Sequence, residues 1–419
     1  MGKSGAAIMP CGGGAGRGPR ADSLIDKHSQ PIGLRVYRSL PPSMASKRPR
    51  SDSPEASFSR PRRKVTEPDP PPLSRMRIQS SRSKQDMSES TRAANLTAML
   101  DRIDRYTTSA ERPHDEILQA SLKNFLEMLP PDGCAELLKD MDSKPGDEGL
   151  YEVFSNLYTG LRCRMMSRSK PPSLTPSPNP KRRDNAEALS AKMDKPISRD
   201  RKFKTALLAR DGYKCTVTGH FDQGRYEELG LDSPDLNPTD TQGAHIIPFS
   251  YGFWNTSQSL PPDIATAWEV LYRCFPVLRR LRFDWEDINN LENGITMAEW
   301  IHSRFGKFRL AFKATEVPDQ YDVEIFGPIG NAYRNMIPDR ITFTNHDSAK
   351  DYKLPSPILL ECHYILAKIL NASGMAEAFD HDFDRWEAVK ESVHSLREDG
   401  KTDIGSILGL SFLCDDIAR

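Results

Sequence analysis

The chain has 419 residues, 37% of them hydrophobic, with 33 Pro, 26 Gly and a formal net charge of zero, so it has room for two or three domains but not a core throughout. Seven cysteines, odd in number and without a C-x-x-C pair, exclude a disulfide framework and a structural zinc knuckle and fit a reducing compartment. No apolar run reaches the length of a membrane span and the N-terminus lacks an apolar signal core, which predicts a soluble intracellular protein with no membrane partner.

Charge neutrality hides an asymmetry. Residues 1–84 carry 17 Lys and Arg against 6 Asp and Glu, among Gly, Pro and Ser with few large apolar side chains. Such a segment cannot bury enough surface to offset its ordering entropy, so residues 1–87 are expected to form a disordered basic tail. KRPR (47–50) and RPRRK (60–64) read as a bipartite nuclear import signal, as a phosphate-binding arm, or as solvated charge. The import reading gives a nuclear location; without it the location is cytoplasmic.

Residues 88–168 change to helical periodicity. Leu96, Met99, Leu100 and Ile103 form one apolar stripe, and Ile117, Leu118, Leu122, Phe125, Leu126 and Leu129 another, ended by Pro130-Pro131. Asp132 is the expected N-cap of the next helix. The region carries no chemistry, and its apolar faces serve core packing or self-association. Residues 169–197, rich in Pro and Ser, read as an extended linker. Residues 198–380 form the main domain, opening with a Lys- and Arg-bearing helix at Phe203–Arg210 and a strand-like YKCTVTG, and residues 381–419 form an acidic tail.

The chemistry concentrates between Asp240 and Asp322. His245 stands before Ile246 and Ile247, which Pro248 cuts short, as at the end of a short strand. Asn293-Gly294 is a turn signal that supplies positive φ. Met297–Phe305 follows helical spacing, with Trp300, Ile301 and Phe305 on the buried side and His302 facing back. Between them lies a long insertion with Trp268, Val270, Leu271, Cys274 and Phe275 at helical spacing, and Arg279, Arg280 and Arg282 as a candidate phosphate-binding rim. Further on, Phe308–Phe312 and Tyr321–Phe326 alternate as paired strands, and a helix runs over Ile358–Leu370.

A strand-borne His, an Asn turn and a helix-borne His make the layout of a ββα-metal finger. With RDGYKCTVTG, AHIIPFS, NGITMAEWIHSRFG, YDVEIF and LPSPILLECHYILAKILNASGMAEAF in that order, residues 85–380 resemble the HNH endonuclease family, and in particular fungal HNH-domain proteins. The resemblance implies an α+β fold: a ββα-metal (HNH) module embedded in a mixed C-terminal domain. It also implies a metal-dependent endonuclease acting on DNA. His245 becomes the general base on water, a role suited to imidazole because its pKa lies near working pH. Asn293 becomes the residue that orients the base loop, with Asn289 and Asn290 as rivals, and His302 a ligand of one divalent ion (Mg²⁺, Mn²⁺ or Zn²⁺).

Two positions depart from the family pattern. Ala244 stands where many members have a second metal ligand before the base, and Gly306 where many have one a turn after the metal His. Asp240 precedes Ala244 by about 13 Å of extended chain and cannot substitute for it, whereas Glu299, at i, i+3 from His302, shares its helix face. The competing reading is an HNH-fold module that lost catalysis and binds nucleic acid or protein.

Overall fold

The computed structural model describes residues 89–165, 174–198, 200–233, 235–254 and 261–394, all within one contact unit. The tail 1–87, with its basic clusters at 47–50 and 60–64, and residues 395–419 lie outside the described residues.

The helical region comprises α1 (Glu89–Asp104), α2 (Leu118–Met128), α3 (Pro131–Asp142) and α4 (Gly146–Met165). On α2, Leu118, Leu122, Phe125 and Leu126 are buried, the face their spacing predicts. Asp132 is not the N-cap of α3: Pro131 takes the first helical position and leaves Asp132 inside the first turn, where it pairs with Arg280 at 2.9 Å.

Residues 180–190 of the expected linker fold as α5 (Pro180–Ser190). The start signal is local: Asn179 accepts a hydrogen bond from the Lys181 amide at 3.1 Å, and Pro180 occupies the first turn. Arg182 on this helix then pairs with Glu136 and Asp140 of α3. The helix is therefore held by ion pairs that a composition reading does not register.

The C-terminal part adds α6 (Arg201–Arg210), α7 (Gln223–Glu228), β1 (Thr241–His245), α8 (Pro261–Cys274), α9 (Pro276–Arg280), β2 (Gly294–Ala298) and α10 (Glu299–Gly306). It continues with β3 (Leu310–Ala314), β4 (Gln320–Ile325), α11 (Asn331–Arg334), β5 (Arg340–Thr342), α12 (Pro357–Ala372) and α13 (Met375–His394). This is an α+β chain with an antiparallel β1–β2 pair and a separate antiparallel β3–β4–β5 sheet.

α8 joins the two parts, packing on α3, α4 and α5. Its Trp268 is buried and donates to the Tyr251 carbonyl at 2.9 Å. Gly133 permits the α3–α8 approach, since a Cβ there would lie 2.1 Å from the Cys274 carbonyl oxygen. Beneath it, buried Asp140 pairs with buried Arg273 at 2.8 Å. The apolar faces offered for self-association are thus spent inside the chain, α2 against α12 and α4 against α8.

One other expectation changes. YKCTVTG is a series of turns with positive φ at Tyr213 and Gly219, as at Gly212 just before it, contributing only an isolated bridge, Lys214 to Phe221. Cys215 within it is buried, as expected of a small apolar residue. The start of the acidic segment expected from residue 381, read as frayed or helical, lies on α13, which runs to His394. Its buried Asp382 pairs with Arg162 of α4 and accepts from the Tyr158 hydroxyl at 2.9 Å.

Candidate functional site

β1 and β2 pair so that His245 stands opposite Gly294 and Thr241 opposite Ala298. Gly294 has a φ of −131°, extended backbone rather than the positive φ its turn setting predicts. It is a glycine for a different reason: a Cβ there would meet Phe203 Cζ at 2.6 Å and both Leu207 Cδ atoms at 2.8 Å. The missing side chain lets α6 lie directly on the strand pair. Arg210 at the end of α6 fixes that seat. Buried, it donates to the carbonyls of Leu291 (2.9 Å), Gly294 (2.9 Å) and Lys353 (3.2 Å), and pairs with Asp211 at 2.7 Å.

The close seat brings Phe203 onto His245, ring centroids 4.3 Å apart and planes 13° from parallel. His245 Nε2 lies 3.1 Å from Asn289 Oδ1, and Asn289 Nδ2 donates to the Ser198 carbonyl at 3.1 Å. That second bond turns the amide oxygen toward the imidazole. An oxygen only accepts, so Nε2 carries the ring proton and the lone pair of the neutral ring lies on Nδ1.

Asn293 is buried and holds the loop around the base. Its Nδ2 donates to the carbonyls of Ile247 (3.0 Å) and Ile288 (2.9 Å), and its Oδ1 accepts from the Ile247 amide at 2.8 Å. One side chain therefore clamps the end of the His245 strand to the segment that carries Asn289. Asn290 is engaged elsewhere, donating to Asp287 at 2.8 Å.

α10 follows β2 directly and carries His302, whose Nδ1 lies 2.7 Å from Gln242 Oε1 on β1. With the carbonyl oxygen facing it, Nδ1 donates and the lone pair lies on Nε2, the arrangement in which a second-shell acceptor prepares an imidazole to bind a metal. His245 and His302 border one open cleft of about 640 Å³. α6 supplies its other wall, with Asp200, Arg201, Lys204 and Thr205. Gly306 also borders it, and a Cβ there would meet nothing within 4 Å.

The donors for a divalent ion are few. Among the described residues no group of three or more His, Cys, Asp and Glu side chains is gathered to hold a metal. Ala244 is buried, so a carboxylate in its place would enter the core. Glu299 is exposed in the first turn of α10 and is absent from the cleft lining, its amide donating to the Asp240 carbonyl at 3.0 Å. Asp200 lines the cleft, with Oδ1 capping α6 through the Lys202 amide at 2.8 Å. These residues fit an ion shared between His302, water and a phosphate oxygen, not a resident ion caged by protein alone.

The expected arginine rim is not at the cleft. Arg279 pairs with Glu269 and lies over the Tyr272 ring at 4.9 Å, and Arg280 pairs with Asp132. Its place is taken by Arg201 and Lys204. Sequence reasoning saw α6 as a basic helix but had no signal for its position. Phe203 is legible only as part of that helix and Gln242 not at all, since each supports its imidazole through a tertiary contact.

No curated protein and no solved structure matches the chain. Residues 215–313 match the family model described as HNH endonuclease, a span that includes His245, Asn293, Glu299 and His302. The α+β fold of this chain therefore carries an HNH endonuclease domain.

Proposed function

We propose that the protein hydrolyses phosphodiester bonds of DNA in this cleft. The observation that carries the reading is the pairing of two imidazoles around one cavity, with lone pairs assigned to Nδ1 of His245 and Nε2 of His302 by their amide partners. His245 takes the proton from a water that attacks the phosphorus in line. Asn289 keeps its tautomer, Phe203 keeps its plane, and Asn293 fixes the backbone that presents it. Arg201 and Lys204 hold the flanking phosphates of the strand. His302 would hold a divalent ion, Mg²⁺, Mn²⁺ or Zn²⁺, which supplies charge neutralisation at the scissile phosphate and leaving oxygen. The basic clusters at 47–50 and 60–64 support delivery to the nucleus.

A second reading, a DNA-binding HNH module without catalysis, draws on the sparse donor set around Ala244 and Gly306. Plasmid nicking with each metal, by the wild type and His245→Ala, decides between them. The nuclease reading expects metal-dependent nicking that falls by about 10²–10⁴ in the variant, the range for a general base. Identical traces with retained DNA binding support the second reading. A reporter fused to residues 40–70 tests import, and a cytoplasmic signal ends that idea.

A further inference from the structure

We infer that the substrate presents an unpaired base beside the scissile phosphate, stacked on Phe253; this rests on the nuclease reading of the cleft and specifies the class of DNA it takes. The rings form a ladder from core to surface. Phe203 is buried and stacked on His245. His245 and Phe249 are 5.5 Å apart at 48°, and Phe249 and Phe253 are stacked at 5.6 Å and 25°. Phe253 is 46% exposed.

A single exposed phenylalanine is ordinary on a protein surface. This one differs in two respects. First, its backbone is held in place. Gly252 and Trp254 on either side are buried, the Gly252 amide donates to the Phe249 carbonyl at 3.0 Å, and the Gly252 carbonyl accepts from Ile197 at 2.7 Å. The outward ring thus projects from between two buried residues and is stacked on Phe249. Second, Phe253 stacks one ring beyond Phe249, which lines the same cleft as Arg201 and Lys204 of α6. A cationic wall for the backbone and a preset aromatic face for a base are the two components of single-strand recognition. Bases inside an intact duplex stack on one another and leave no face for Phe253. An overhang, flap or gap does.

Fluorescence anisotropy on the full chain, in EDTA so that cleavage is off, tests this. The probes are a labelled single strand, a blunt duplex of the same sequence, and that duplex with a single-stranded overhang. The wild type is expected to bind the strand and the overhang more tightly than the blunt duplex. Phe253→Ala should weaken those two roughly tenfold, within the range for loss of one base–aromatic stack, and leave the blunt duplex unchanged. Phe253→Trp should retain the preference. Lys204→Ala should weaken all three. If Phe253→Ala binds every probe as the wild type does, or if the blunt duplex is preferred, the stacking inference is overturned while the nuclease reading survives. If no probe binds, the stacking inference falls, and the nuclease reading is judged by the nicking assay alone.

Discussion

Asn289 and His245 are joined at 3.1 Å through an amide that is itself tied to the Ser198 carbonyl, so the ring tautomer at the cleft is decided by a residue 44 positions away in the chain. This gives Asn289 a positioning role that leaves a signature in pH. Asn289→Asp places a carboxylate against the imidazole and favours its protonated form. A base works only when unprotonated, so a raised pKa moves the acid limb of the kcat/KM profile to higher pH, by about 1 unit for a neighbouring charge. Asn289→Ala should lower the rate by about 10- to 100-fold and disturb the ring-nitrogen NMR signals of His245. An unmoved acid limb in the Asp variant would show that the contact is structural only.

Gln242 stands to His302 as Asn289 stands to His245. Replacing it with Leu keeps bulk and removes the acceptor that assigns the lone pair to Nε2. Mn²⁺ affinity, measured by electron paramagnetic resonance with an uncleavable phosphorothioate strand bound, is expected to fall by about 10- to 100-fold. Glu299→Gln should leave it unchanged, because that side chain is exposed and does not line the cleft. A large loss in Glu299→Gln would restore Glu299 as a ligand.

Gly294 offers a test of why α6 and the strand pair sit so close. In Gly294→Ala the new methyl meets Phe203 and Leu207 at 2.6–2.8 Å, and extended backbone at this position adds no strain of its own. Overpacking of this kind costs about 1–3 kcal/mol and should appear in urea unfolding. Leu207→Ala in the same chain removes two of the three clashing atoms, so the pair should be less destabilised than the sum of the singles. Strict additivity would mean that α6 yields freely.

What the sequence discloses and what it withholds divide along one physical line. α2 and α12 are legible because their apolar spacing records a face that is buried in place. His245, Asn293 and His302 stand out because they recur in a family order, and the folded chain sets all three about one strand pair. Phe203 and Gln242 are invisible in that way and Asn289 shows only as a rival to Asn293, since each matters through a contact across 42, 60 or 44 positions. α5 shows the opposite error. Its Asn-Pro start signal was present at 179–180, but the Pro and Ser content around it outweighed the cap, and the partners of Arg182 lie on another helix. Arg279 and Arg280 look like a phosphate rim until their acidic partners are located.

His363 links this architecture to pH. It lies fully inside α12's packing, sandwiched by Phe305 at 3.8 Å and Phe308 at 4.5 Å, with Nε2 3.1 Å from the Phe305 carbonyl near the end of α10. It therefore anchors the helix that carries His302. Burial disfavours the charged ring and pushes its pKa from 6.5 down to about 3. In the unfolded chain the ring titrates near 6.5, so between those values the unfolded state binds the proton and the folded state does not. Stability from this residue is complete above about pH 6.5 and is lost as the pH falls, at about 1.4 kcal/mol per unit, until the folded ring itself titrates. His363→Leu removes the titrating group. Its unfolding free energy at pH 7.5 should be lower, because the hydrogen bond to Phe305 is gone, but its decline between pH 6.5 and pH 5 should be shallower than that of the wild type by about 2 kcal/mol. Urea unfolding at several pH values measures both quantities. Parallel curves for the two proteins would mean that the ring takes up its proton in place, and that the anchor of α10 is wetter than its packing indicates.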